Sequence, residues 1–165
     1  MTLTVRRASA ALALGVALAT AGCGSIEANR AATVDGRVIT ETEVHTAQSE
    51  INEAYPQANL VASDVLTRLI RAPYILDLAA EQGAPLSVSV AEAAFPGKDP
   101  SPVTIEVLRA ELAAQNLQQS GVEIPVQTFA DLQVDVNPRY GEFDPQTASL
   151  ATTLPEWVTP FSADQ

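Results

Sequence analysis

Thirteen residues, Ala32 to Val44, restrict the architecture more than any other stretch of this chain. Two short β-prone runs flank Asp35-Gly36, and a helix start follows at once. Asp-Gly suits a two-residue type I′ hairpin, because both central residues need positive φ. Alternation puts Val34, Val38 and Thr40 on one or other face of a narrow ribbon. Thr40 stands three residues before Glu43, the spacing of a capping box. The stretch therefore reads as strand, tight turn, strand and helix N-terminus. A two-stranded hairpin is marginal by itself and needs a partner. The best partner in the rest of the chain is Leu132 to Asn137, where apolar and polar residues alternate as in a half-buried strand until Pro138.

Between these ends the chain is helical. Val44, Ala47, Ile51 and Ala54 or Tyr55 recur at helical spacing from Thr40 to about Tyr55, where Pro56 stops the run. A second helix is expected from a cap near Ser63-Asp64 to Gln82, followed by Gly83 and Pro85 as stop signals. It is apolar over more than half its circumference, so it should be the central buried helix. Pro73 inside it removes a backbone donor and clashes with the previous turn, which predicts a kink or break near Arg71-Ala72. Ser89-Val90-Ala91-Glu92 reads as another capping box, opening a short helix to about Phe95. Ser101-Pro102 gives the N-cap and first-turn proline of a fourth helix that ends at Gly121. Val126 to Asp131 suggests one more short helix, and Asn137 to Gly141 a turn. From Pro145 on, no periodicity survives.

The expected class is α+β and mostly helical: four or five helices around a small sheet of N-terminal hairpin and C-terminal strand. At 165 residues there is room for one modest domain. Aromatics are only 5% of the chain, so Ala, Val and Leu must build the core.

Met1 to Gly22 reads as a targeting segment. Arg6-Arg7 forms the charged end, and Ala8 to Ala19 an apolar run too short to span a bilayer comfortably. Thr20-Ala21-Gly22-Cys23 resembles a bacterial lipobox, with Thr20 where Leu is usual. In that class the cysteine is lipidated on sulfur and becomes the N-terminus after cleavage. The alternatives are an ordinary secretory signal cut near Ala21, with Cys23 a free thiol, or twin-arginine export through Arg6-Arg7. An exported protein with one cysteine forms no internal disulfide, and lipidation explains why that cysteine sits at this junction. The expected layout is a lipoprotein signal over 1–22, a tether over 23–30, a folded domain over 31–145 and an extended tail over 146–165. The protein is then held at the cell membrane, facing the extracytoplasmic side, through lipid on Cys23. Once Arg6 and Arg7 leave with the signal, seven of the nine basic residues remain against twenty acidic ones, a net charge of −13. That balance argues against nucleic acid and against docking on anionic lipid through a basic patch.

These elements in this order resemble the N-terminal chaperone domain of SurA-type proteins. Thr33-Val34-Asp35-Gly36-Arg37-Val38-Ile39-Thr40-Glu41-Thr42-Glu43-Val44 is similar to the family's Val-Asn-Gly-x-x-Ile-Thr-x-x-Glu-Leu opening. Val65 to Gln82 is similar to its Leu-rich helix, and Val88 to Phe95 to its short third helix. Val134 to Pro145 resembles the return strand and end of lipoprotein members of the wider foldase group. Isomerase members carry an inserted parvulin domain with a His-Ile-Leu-type strand and a Gly-Gly-Asp-Leu-Gly-type loop. Neither motif is present, and Ala84 to Ser101 is too short to hold that domain. The resemblance thus implies chaperone-like binding of unfolded or extended exported polypeptides without isomerase catalysis. The rival expectation is a non-catalytic accessory lipoprotein for one dedicated folded partner, with Thr152 to Phe161 as its docking peptide.

The residues themselves offer no catalytic constellation. His45 is the only histidine. It shares a helix face with Glu41, most simply as a surface pair. No His/Cys cluster has metal-ligand spacing, and no nucleophile elbow or phosphate-cradling glycine loop is present. Glu106, Glu111, Asp131 and Asp135 read as solvated carboxylates. No catalytic residue, metal ligand or cofactor is expected. Arg139-Tyr140 is the one candidate peptide-binding corner, because both types are enriched in binding hot spots. The plainer alternative is structural: an arginine paired to an acid that fixes the turn.

Overall fold

The computed structural model describes residues 28–151. The leader, Cys23, Trp157 and Phe161 therefore lie outside the described residues. The fold is α+β and mostly helical. Strand β1 (Arg30–Val34) and strand β2 (Arg37–Thr40) form the opening hairpin. Helices α1 (Glu41–Ala54), α2 (Ala62–Glu81), α3 (Val88–Ala94) and α4 (Pro102–Gln119) follow. A 3₁₀ turn at Val126–Phe129 leads to β3 (Val134–Val136). After a second 3₁₀ turn at Pro138–Tyr140 come β4 (Glu142–Asp144) and β5 (Ser149–Ala151).

The three-stranded sheet runs β2-β1-β3, antiparallel throughout. Asp35 and Gly36 take φ of 47° and 85°, the two left-handed residues a tight hairpin requires. Thr33 pairs with Val38 on one side and Asp135 on the other, so β1 is the central strand. A register shift between Arg30 and Ala32 bulges the strand and leaves both Ala31 and Ala32 fully buried. The two extremities of the body therefore meet as one ladder, and strand pairing is confined to Val134–Val136 of the expected Leu132–Asn137.

The capping box at α1 is complete: the Glu43 amide donates to Thr40 Oγ1 (3.2 Å) and the Thr40 amide to Glu43 Oε2 (2.7 Å). Its buried face is Val44, Ala47 and Ile51. Helix α2 threads both cores. Its first half (Val65, Leu66, Leu69, Ile70) packs against the sheet, α1, Val103 and Val107. Its second half (Ile75, Ala79) packs with Ala113, Leu117, Phe129 and Ala148. Of the kink or break expected near Arg71-Ala72, the break does not occur: the helix is continuous through Pro73 from Ala62 to Glu81. Burial on both sides of Pro73 outweighs one lost backbone bond.

Two caps differ from expectation. Helix α2 starts earlier than Ser63-Asp64: Val61 is the cap residue, and Asp64 instead reaches back to accept from the Val61 amide (3.1 Å). Helix α3 is capped by Ser87, whose Oγ accepts from the Val90 amide (3.3 Å), not by Ser89. Ser89 Oγ lies 3.0 Å from Ser87 Oγ instead. At α4 the Ser101-Pro102 start holds. Glu50 of α1 adds to it, accepting from the Ser101 amide (2.9 Å) and hydroxyl (2.8 Å).

The chain beyond Pro145 is not structureless. β4 and β5 form a second hairpin, pairing Phe143 with Leu150. The body thus extends to Ala151, past the expected limit at 145, and Ala148 is in the second core.

Candidate functional site

Two surface features meet the physical requirements for holding a chain segment: a groove between helices, and an unpaired sheet edge. The groove encloses about 570 Å³. Helix α2 supplies Pro73, Leu76 and Asp77, α3 supplies Val88 and Glu92, and α4 supplies Pro102, Ile105, Glu106 and Arg109, with Pro100 and Arg37 completing the wall. Arg109 secures one side, donating through Nε (3.1 Å) and Nη2 (2.9 Å) to the Leu86 carbonyl and so holding the α2–α3 connection against α4. Arg37 secures another. Its guanidinium makes a two-pronged pair with Glu106, Nη2 to Oε2 at 2.7 Å. The Glu106 hydrogen bonds hold the Arg37 guanidinium above its ordinary range against the cost of burial. Val88 and the neighbouring Val90 are 47% and 51% exposed, a small apolar rim on α3.

The two sheet edges differ. In β1 the even residues, Ala32 and Val34, face β2, and the odd ones face β3, as the bonds from Asp35 to Gln133 and from Asn137 to Ala31 show. On β2 only Val38 turns its amide and carbonyl outward, and the Thr40 amide beyond it is taken by Glu43. On β3 both Val134 and Val136 turn theirs outward, and among the described residues neither has a cross-strand partner on that side. β3 is the longer open edge, though only three residues long.

Arg139 and Tyr140 are placed at a corner between β3, α1 and α2. Arg139 Nη1 bonds both oxygens of Glu41 (2.9 and 3.0 Å), while its side chain remains 62% exposed. Tyr140 is buried in the first core, and burial, then the Glu41 carboxylate, pushes its phenol up. Asn137 joins the same corner, its Nδ2 donating to the Arg30 carbonyl (3.1 Å). The arginine fixes the turn, as the structural alternative has it, and still presents its outer face to a shallow groove of about 380 Å³. That groove also takes in His45, Val61, Ala62, Ser63, Pro138 and Gly141. His45 does not pair with Glu41; its Nδ1 lies 3.4 Å from Gln48 Oε1.

The sequence offers no signal for one polar contact of the sheet. Tyr74 of α2 donates to Asp35 Oδ2 (2.6 Å), and the Gln133 amide to Asp35 Oδ1 (2.9 Å). The Tyr74 bond, then the Gln133 bond, holds the Asp35 carboxyl below its usual range. Burial and that carboxylate push the Tyr74 phenol to about 12. Glu106, read as a solvated carboxylate, is instead half of the groove's ion pair, and Asp135 pairs with Arg30 at 2.6 Å. The groove residues were invisible because they come from four elements and share no sequence spacing. Among the described residues, no three His, Cys, Asp or Glu side chains cluster closely enough to hold a metal ion. None of the described helices is long and apolar enough to cross a membrane. No family model, curated protein or solved structure matches the chain.

Proposed function

We propose that this is a membrane-anchored, extracytoplasmic chaperone-like lipoprotein of SurA type, which holds extended apolar segments of exported polypeptides in the α2–α3–α4 groove without covalent chemistry. The supporting observation is the groove itself. Leu76, Val88, Ile105 and three prolines give apolar contact that tolerates many sequences, and the Arg37–Glu106 pair beside them ties β2 to α4. Prolines present no amide at those positions, so bound chain meets little competition for its own hydrogen bonds. The cysteine junction at Cys23 supports the anchoring part of the reading.

Both cores and both sheets lie within 28–151, so residues 24–165 retain every contact described. That fragment should suppress aggregation of an unfolded exported protein at a few-fold molar excess. Val88→Asp should abolish suppression while leaving the denaturation midpoint unchanged, and Val126→Asp, at a valine outside the groove, should have no effect. Absence of suppression by the parent fragment sinks the reading.

One observation favours the dedicated-partner alternative. The exposed large apolar side chains among the described residues are five valines, scattered except for Val88 and Val90. General holders of unfolded chains expose more. Under that reading the same Val88→Asp change removes one defined partner from a pull-down, and the aggregation assay is negative throughout.

A further inference from the structure

The corner groove beside Arg139 has its own neighbour in the chain. Strand β5 ends at Ala151, and Ala151 pairs with Glu142, the residue after the groove-lining Gly141. Paired residues stand about 5 Å apart and a strand advances about 3.3 Å per residue, so Ala151, the last described residue, lies within roughly 10 Å of the groove wall. Residues 152–165, Thr-Thr-Leu-Pro-Glu-Trp-Val-Thr-Pro-Phe-Ser-Ala-Asp-Gln, are much longer than that gap. They contain the chain's single tryptophan, Trp157, together with Leu154, Val158 and Phe161. Their charges are Glu156 and Asp164, with no basic residue. The groove is complementary on both counts. Val61, the most exposed large apolar side chain among the described residues at 53%, forms one wall. Arg139, still 62% exposed beside its Glu41 partner, and the N-terminus of the twenty-residue helix α2 put positive potential on the others.

We infer that the segment 152–165 folds back onto its own body and seats Trp157 against Val61 in the groove formed by His45, Val61, Pro138, Arg139 and Gly141. The corner is then a peptide-binding site whose occupant is this chain. Arg139 does two things there: it holds Glu41 with one nitrogen and faces the acidic segment with the rest of its guanidinium. This inference stands independently of the chaperone reading, which concerns the groove lined by Pro73, Leu76 and Asp77 further along α2.

Trp157 is its own reporter, since no other tryptophan contributes to emission. In residues 24–165 at micromolar concentration, the emission maximum should lie to the blue of that in urea. Seating most of the indole should also cut the acrylamide quenching constant about threefold or more relative to urea. Val61→Glu places a like charge beside Glu156 and should return both readings to the unfolded values, with the far-ultraviolet circular dichroism unchanged. Val126→Glu, a charge on an exposed valine elsewhere, should leave both readings as in the parent. The values should not change on hundredfold dilution. Fully accessible Trp157 in the parent overturns the inference, as does an equal response to Val126→Glu. A blue shift lost on dilution would show a second copy as the occupant and overturns the self-docked form.

Discussion

The described residues form two β-hairpins whose turns begin alike, at Asp35 and at Asp144, and they do different work. Asp35 collects bonds from Tyr74 and Gln133, residues 39 and 98 positions away. Asp144 accepts only from its own turn, the Gln146 amide (2.8 Å) and the Thr147 hydroxyl (3.0 Å). The first hairpin has a central strand bonded on both sides and four buried residues between Ala31 and Ile39. The second is an isolated pair with half-buried Phe143 and Leu150 laid over the core. One is the foundation of the fold and the other a cover added to it. An acid at a turn thus means little until its distant partners are known.

The largest effect that separates them is in the core. Ile39→Ala should lower stability by about 2–4 kcal/mol, as for other buried large-to-small changes, and shift the denaturant midpoint of the whole domain. Phe143→Ala should cost less and appear first as faster amide exchange confined to β4 and β5. If Phe143→Ala unfolds the domain as fully as Ile39→Ala, the distinction between foundation and cover is wrong.

A smaller effect is in the proton balance. Asp35 has a folded value below the unfolded one, so its contribution is complete above the ordinary carboxylate range near 3.8 and is lost as pH falls through the folded value. Tyr74 is shifted the other way. Its contribution is complete below the ordinary phenol value of 10.0 and is lost as pH rises through about 12. Stability should therefore fall at both extremes. Asp35→Asn should remove the acid-side share and bring the Tyr74 titration, followed by phenolate absorbance, down towards 10.0. An unchanged phenolate titration would mean that the 2.6 Å bond is not what shifts Tyr74.

The smallest effect is at the corner. Arg139→Met breaks an ion pair whose arginine is largely exposed, so the cost should be no more than about 1 kcal/mol and should shrink with added salt. A cost several times larger would make the Glu41–Arg139 pair part of the foundation.

The same contrast shows what the sequence makes legible. Asp35-Gly36, the Thr40/Glu43 box and the Ser101-Pro102 start are local devices, and each appears where its residues stand. Val134–Val136 was found because alternation survives over a few residues. β4 and β5 leave no such trace because each has one large apolar residue, too few for a period to register. The Asp144-Pro145 turn signal was the available cue. Ser89-x-x-Glu92 fits the capping-box spacing as well as any real box. Ser87 took the cap because the helix begins at Val88, which spacing alone does not decide. That the helix does not break at Pro73 has a related cause: the local cost of proline is legible in the sequence and the surrounding burial is not. The groove was illegible because Arg37, Leu76, Val88 and Glu106 come together only through packing.

β1 lies in the middle of its sheet, and one of its two neighbours is made about a hundred residues later. A chain synthesised from its N-terminus must therefore wait, with one side of β1 open, until Val136 has emerged. Contacts so distant in sequence slow folding. In that interval the unfilled side of β1 could accept another extended segment, so this protein passes through a state with the same need it is proposed to meet in others.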